Sequence, residues 1–91
     1  MTQSSSDPVA KTFAAFLQSS LAEGALSART KELITFSLVV LSRCKPCVKH
    51  HLKQAREMGI SDAELDEAAW CAVAMGGAPI RLFYLDAKAG R

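Results

Sequence analysis

The sequence predicts an all-α fold, a single-domain bundle of about five helices that assembles as a homo-oligomer. Three observations carry that expectation. Apolar residues recur three to four apart along most of the chain, residues able to cap a helix open most of the periodic runs, and glycines close them. At 91 residues there is room for one ordinary domain, and 49% apolar content is generous for so short a chain, which points to surface covered by other copies.

Residues 1–6 are polar and Ser-rich, have nothing to bury, and are expected to form a disordered tail ahead of a helical domain over 7–91. Asp7-Pro8 pairs a capping side chain with proline at the first helical position. It opens a helix whose apolar positions Val9, Phe13, Phe16 and Leu17 fall on one stripe, and that helix is expected to stop near Gly24. Ser27 caps a second helix from about Ala28 to Ser42, almost wholly apolar from Leu33 onward, which predicts burial on most sides. Its β-branched residues would also suit a strand, but its length, its cap and the lack of an internal turn signal favour a helix.

A third helix should begin around Lys45 and end at Met58-Gly59, where glycine suits a left-handed terminator. Ser61-Asp62-Ala63-Glu64 has the form of a capping box and launches a fourth helix carrying Leu65, Ala68, Ala69, Ala72 and Val73 to the Gly76-Gly77 break. Pro79 restarts a short last helix with Ile80, Phe83, Tyr84 and Ala87. No internal repeat or low-complexity linker interrupts the pattern.

Formal charge is +2, and the two signs are interspersed rather than blocked, so no nucleic-acid footprint is expected. The longest apolar-rich segment, Leu33 to Leu41, is about half the length that spans a bilayer. The start MTQSSSDP lacks the charged and apolar regions of a secretory signal, and a cytoplasmic protein without membrane contact is the expectation. Three cysteines do not make a secreted disulfide framework; in a reducing compartment a Cys-x-x-Cys pair points to redox or metal chemistry.

That pair lies in SRCKPCVKHHL, Ser42 to Leu52, with two histidines beside it. At about 100° per residue, with Cys47 as zero, Met58 falls near 20°, His51 near 40°, Cys44 near 60°, Ala55 near 80°, Val48 near 100° and Leu52 near 140°. Both sulfurs and His51 therefore share the arc of the apolar stripe, while His50 sits on its shoulder. Two intervening residues let the sulfurs close a disulfide, and the positive end of the helix favours a thiolate, helped by Lys45 and the histidines. Zinc is the chemical competitor, since Cys44, Cys47, His50 and His51 are all ligand types. Structural zinc sites usually draw a second ligand pair from well down the chain, and four ligands within eight residues of one helix do not easily surround a tetrahedral ion. A purely structural pair is the bland alternative.

On the second helix, Glu32 shares a face with Phe36, Val39 and Val40, which puts a carboxylate on an apolar surface. A solvated glutamate near a helix start and a buried functional one both fit that position.

Glu32, eleven intervening residues, then Cys44-x-x-Cys47-x-x-x-His51 resembles the core motif of the alkylhydroperoxidase D (AhpD)-like branch of the carboxymuconolactone decarboxylase family. The resemblance runs from about Ser27 to Pro79 and includes the Met75-Gly76-Gly77-Ala78-Pro79 end of the fourth helix. It implies an all-helical homo-oligomer, commonly a trimer or hexamer, with the dithiol near a subunit interface. It implies a peroxidase or thiol–disulfide oxidoreductase of antioxidant type that needs no cofactor and no metal. The substrate would be a small hydroperoxide or a disulfide, and an external dithiol would restore the enzyme. Carried over, Cys47 is the peroxidatic cysteine, Cys44 resolves it through a redox-active disulfide, and Glu32 with His51 relays the proton.

The helix dipole alone selects Cys44 as the lower-pKa thiol, because it sits nearer the positive end. His51, one turn after Cys47 on the same face, gives Cys47 a base that dipole reasoning ignores. The pattern departs from that branch at Pro46, where a second histidine is expected and where proline cannot relay a proton. The family's namesake decarboxylases act on a lactone without this dithiol, so the pair itself favours redox chemistry. Cys71 is expected in the core as a small hydrophobe, Trp70 and Tyr84 as packing or interface residues, and Arg81 as a surface charge.

Overall fold

Five helices make up the protein in a computed structural model that describes residues 7–91, so the tail expected at 1–6 lies outside the described residues. They are α1 (Pro8–Leu21), α2 (Ala28–Leu41), α3 (Lys45–Glu57), α4 (Asp62–Gly76) and α5 (Ala78–Lys88), with no strand among the described residues. Each boundary falls within a few residues of its expected place, the largest shift being the end of α1 at Leu21. None of these helices is long and apolar enough to cross a membrane.

The capping chemistry read from the sequence is in place. Asp7 accepts hydrogen bonds from the backbone N–H groups of Val9 and Ala10, and Ser27 from that of Thr30. Ser61 and Glu64 close a reciprocal capping box. Hydrogen bonds from the Ser61 backbone and from Arg29 hold the Glu64 carboxyl down at about 2.

α2 occupies the centre and packs on each of the other four helices. Its inner face supplies Phe36 and Val40 to a core completed by Val48, Leu52 and Ala55 of α3, Leu65, Ala69 and Ala72 of α4, and Ile80, Tyr84 and Ala87 of α5. The Phe36 ring meets the Tyr84 ring edge-on at 5.9 Å, the geometry aromatic quadrupoles prefer. Tyr84 is buried, and its hydroxyl donates to Asp66 Oδ1 at 2.7 Å, an oxygen that Lys88 Nζ also reaches at 2.7 Å. Burial and the Asp66 hydrogen bond push the Tyr84 hydroxyl up, while Lys88 and then Tyr84 hold the Asp66 carboxyl below its usual range. This polar strut pins α5 to α4.

Four expectations are corrected. α2 is not buried on most sides, because Ile34, Leu38 and Leu41 form an exposed apolar stripe on the face opposite Phe36. Cys71 is exposed rather than in the core: it lies about 100° around α4 from Ala72 and about 160° from Ala69, at a flank that α2 leaves open. Met58, at the end of α3, is also exposed. Arg81 does more than carry surface charge, since its guanidinium stacks 4.3 Å over the half-exposed Trp70 ring.

At Gly76 a Cβ would come within 2.4 Å of Ile80 Cγ1 and 2.9 Å of Leu41 Cδ1. The end of α4 can approach α2 and α5 this closely only without a side chain. Gly76→Ala is expected to destabilise the fold by about 1–3 kcal/mol through overpacking, read from a urea titration at unchanged m-value. Asp66 contributes stability that is present above its unfolded-state pKa and lost as the pH falls through its lower folded-state value. Asp66→Asn is therefore expected to flatten the acid side of the stability profile below about pH 4, measured as urea midpoints across that range.

Candidate functional site

The link between α2 and α3 is three residues long and does two jobs. The Cys44 N–H donates to the Val39 carbonyl at 3.3 Å and the Arg43 N–H to the Val40 carbonyl at 3.1 Å, while Arg43 adopts φ 59°. This is the double closure of a Schellman motif with arginine in the left-handed position usually given to glycine. Cys44 is thus the last residue of one motif and the N-cap of the next helix, where its Sγ accepts a hydrogen bond from the Cys47 N–H at 3.3 Å. Pro46 sits in the first turn of α3, where its missing N–H leaves no helical bond unmade.

Cys44 and Cys47 are joined as a disulfide, with Cα atoms 5.2 Å apart. Both are half-buried at the head of α3. One turn further along, His51 Nδ1 lies 2.7 Å from Glu32 Oε2 of α2. Glu32 is 4% exposed, so the functional alternative left open by the sequence, a buried carboxylate, is the one observed. Its other oxygen, Oε1, accepts from Gln54 Nε2 at 3.2 Å. Gln54 is a site residue that the sequence reading missed. Its signal was present, because it falls about 20° from Cys47 on the α3 wheel, on the same arc as His51.

All four residues expected at the site therefore sit on α2, at the N-cap of α3 and on its first two turns, with Glu32 and His51 in direct contact and the two sulfurs bonded to each other. His50 stands apart: it is exposed and packs edge-on against the His51 ring at 5.0 Å, without reaching Glu32. Among the described residues, no three His, Cys, Asp or Glu side chains converge as a metal-ligating group.

The arrangement fixes the chemistry of His51. With a carboxylate at Nδ1, the neutral imidazole carries its proton on that nitrogen and presents Nε2 as a lone-pair base. Protonation at Nε2 then yields an imidazolium stabilised by Glu32. A disulfide at a helix N-terminus with such a base one turn away can exchange electrons as thiols and protons through the imidazole.

The fold has relatives among known proteins. A model described as "Carboxymuconolactone decarboxylase family" matches residues 7–87. A carboxymuconolactone decarboxylase family protein from Legionella pneumophila, solved without ligand, superposes with a TM-score of 0.81 at 32% identity, over 87% of this chain and 70% of that one. A family protein from Thermotoga maritima, for which involvement in an antioxidative response has been suggested, gives 0.81 at 28% identity, over 89% and 84%. The uncharacterized protein 4 of the cox locus of Paracoccus denitrificans is 39% identical over 54 residues, 59% of this chain. The chain spans about half the length, 49%, of that curated relative.

The His51 tautomer is directly measurable. Nitrogen-15 spectra of the neutral ring are expected to show the proton on Nδ1, and Glu32→Gln to redistribute it toward Nε2, since the carboxylate is what selects the tautomer.

Proposed function

We propose that this chain, which belongs to the carboxymuconolactone decarboxylase family, is a thiol-dependent oxidoreductase that cycles Cys44 and Cys47 between dithiol and disulfide. The observation that carries this reading is the pairing of a Cys-x-x-Cys disulfide at the head of α3 with His51, held one turn away by the buried Glu32. The alkylhydroperoxidase-like activity is the finer part of the proposal, supported by the antioxidative suggestion for the Thermotoga maritima relative.

In the reduced protein His51 Nε2 takes the Cys47 proton, and Glu32 stabilises the resulting imidazolium. The Cys47 thiolate attacks one oxygen of a hydroperoxide: the S–O bond forms, the O–O bond breaks, and the departing alkoxide leaves as alcohol with the proton held by His51. Cys44, as thiolate, then attacks the Cys47 sulfenic acid, the S–S bond forms, and hydroxide departs and is protonated to water. Two electrons and two protons from an external dithiol regenerate the pair by exchange. The Cys47 N–H directed at Cys44 Sγ favours Cys44 as the leaving thiolate in that last step, so the incoming thiol attacks Cys47. A disulfide substrate enters the same cycle without the oxygen steps. Pro46 supplies no proton, which leaves His51 as the relay residue of α3 in this scheme.

Intact mass and thiol titration test the proposal. Stoichiometric peroxide is expected to remove two thiols and two daltons per reduced chain. Cys47→Ser is expected to abolish turnover with peroxide and a dithiol, whereas Cys44→Ser should leave a trappable Cys47 sulfenic acid. Unchanged turnover in Cys47→Ser would sink the assignment and favour a structural disulfide in a non-catalytic helical oligomer, or the family's lyase chemistry. Glu32→Gln is expected to slow peroxide reduction by about 10²–10⁴-fold, the range for loss of a positioned acid–base group.

A further inference from the structure

One face of α3 carries three polar groups at helical spacing: Cys47, His51 four residues on and Gln54 three further, within about 60° of arc. The first two take part in the cycle proposed above, and the third has no part in it. Gln54 is half-buried, and its Nε2 donates to Glu32 Oε1 at 3.2 Å, while Glu32 Oε2 faces His51 Nδ1 at 2.7 Å. The orientation of the amide follows from its partner, since an ionised carboxylate accepts hydrogen bonds and only the NH2 end of glutamine donates them.

Glu32 needs that second contact for a reason of torsion. It reaches across from α2, and the last torsion of a glutamate side chain is broad and roughly two-fold, so a bond at one oxygen leaves the carboxylate plane free to swing. Two bonds to successive turns of another helix fix the plane. Its direction matters because the carboxylate selects the His51 tautomer through a hydrogen bond at Nδ1, and such bonds weaken steeply as they bend.

The donor is also neutral. A lysine or arginine at position 54 would engage Oε1, but its charge would offset the one that stabilises the His51 imidazolium. An amide occupies Oε1 and leaves that charge in place. A methionine would fill similar space and leave one oxygen of a carboxylate that is 4% exposed without its partner.

We infer that Gln54 is a positioning residue of the redox site: it aims the Glu32 carboxylate at His51 Nδ1 and so keeps His51 Nε2 the free base that serves Cys47. In this role it acts through Glu32 and handles no proton of its own. The inference deepens the redox reading and rests on it for the effect on rate, whereas the aim of the carboxylate is readable in the resting disulfide form, without turnover.

Two substitutions separate aim from packing. Gln54→Met keeps the length and removes the donor; Gln54→Glu keeps the shape and exchanges the donor for an acceptor. Each is first checked by circular dichroism for intact helices, and either one that keeps them carries the test. Nitrogen-15 spectra of the oxidised protein, whose other histidine is His50 and is identified by His50→Asn, provide the first readout. In both variants the neutral His51 ring is expected to move from the Nδ1–H tautomer toward Nε2–H.

Reaction of the reduced protein with hydrogen peroxide provides the second. Gln54→Met is expected to slow it by about 10–100-fold, on the scale of losing the outer partner of a metal-bound histidine. In a Glu32→Gln background the same substitution is expected to slow it by less than about twofold further, because a residue that acts through Glu32 then has nothing to aim. An unchanged His51 tautomer in both variants would overturn the inference, even with a lowered urea midpoint, since that combination is what packing alone produces. Slowing that multiplies with that of Glu32→Gln would also overturn it, by giving Gln54 an action of its own. A wild-type dithiol inert to peroxide and to disulfides would instead sink the redox reading, and the tautomer would still decide whether Gln54 aims Glu32.

Discussion

The buried Glu32 carboxylate sets the geometry of everything around it. A charge removed from water costs several kcal/mol unless its lone pairs are engaged, and here both oxygens are, by His51 Nδ1 and Gln54 Nε2. Those partners are three residues apart on α3, one turn of helix, so the single carboxylate on α2 grips α3 at two adjacent rungs and fixes its sliding position. Among the described residues no buried side-chain nitrogen or oxygen is left unpartnered. With the register of α3 fixed from one side by Glu32 and from the other by Val48, Leu52 and Ala55 in the core, the head of the helix has one place to go. The disulfide sits at that head.

The helices were legible because their ends are written in local chemistry: Asp7-Pro8, Ser27 and the Ser61–Glu64 box each act within three residues of themselves. The Glu32–His51 pairing was legible through the family resemblance, since from the residues alone a carboxylate on the apolar arc of α2 fitted a solvated position as well as a buried one. Gln54 escaped because a neutral amide on such an arc raises no comparable alarm, and its partner is 22 residues away. Arg43 escaped because left-handed termination is sought at glycine or asparagine, and nothing in an arginine announces φ 59°. Cys71 and the outer stripe of α2 were misjudged on one shared ground. Hydropathy reports that a surface is apolar, but not whether its own chain or another covers it.

α2 has two apolar faces, of which its own chain covers one. The inner one, Phe36 and Val40, belongs to the core and carries Glu32 at its start; the outer one, Ile34, Leu38 and Leu41, is exposed in the single chain. Every contact that orients Glu32 and His51 comes from α2 and α3 of the same chain. The geometry of the Glu32–His51 pair is thus set within one chain.

The two arguments about which cysteine is the more acidic are reconciled by the N-cap. Cys44 occupies the cap itself, and the Cys47 N–H points at its sulfur, so dipole and hydrogen bond both stabilise negative charge there. In the proposed cycle His51 acts on the other partner, one turn into the helix, and supplies by proton removal what the backbone does not supply by field. A dithiol needs both properties, since one sulfur must leave easily and the other must attack, and a thiolate stabilised too far is a poor nucleophile. Pro46 fits this division. It withholds one N–H from the first turn of α3, where no helical bond is lost, and so leaves the Cys47 amide as the donor directed at Cys44.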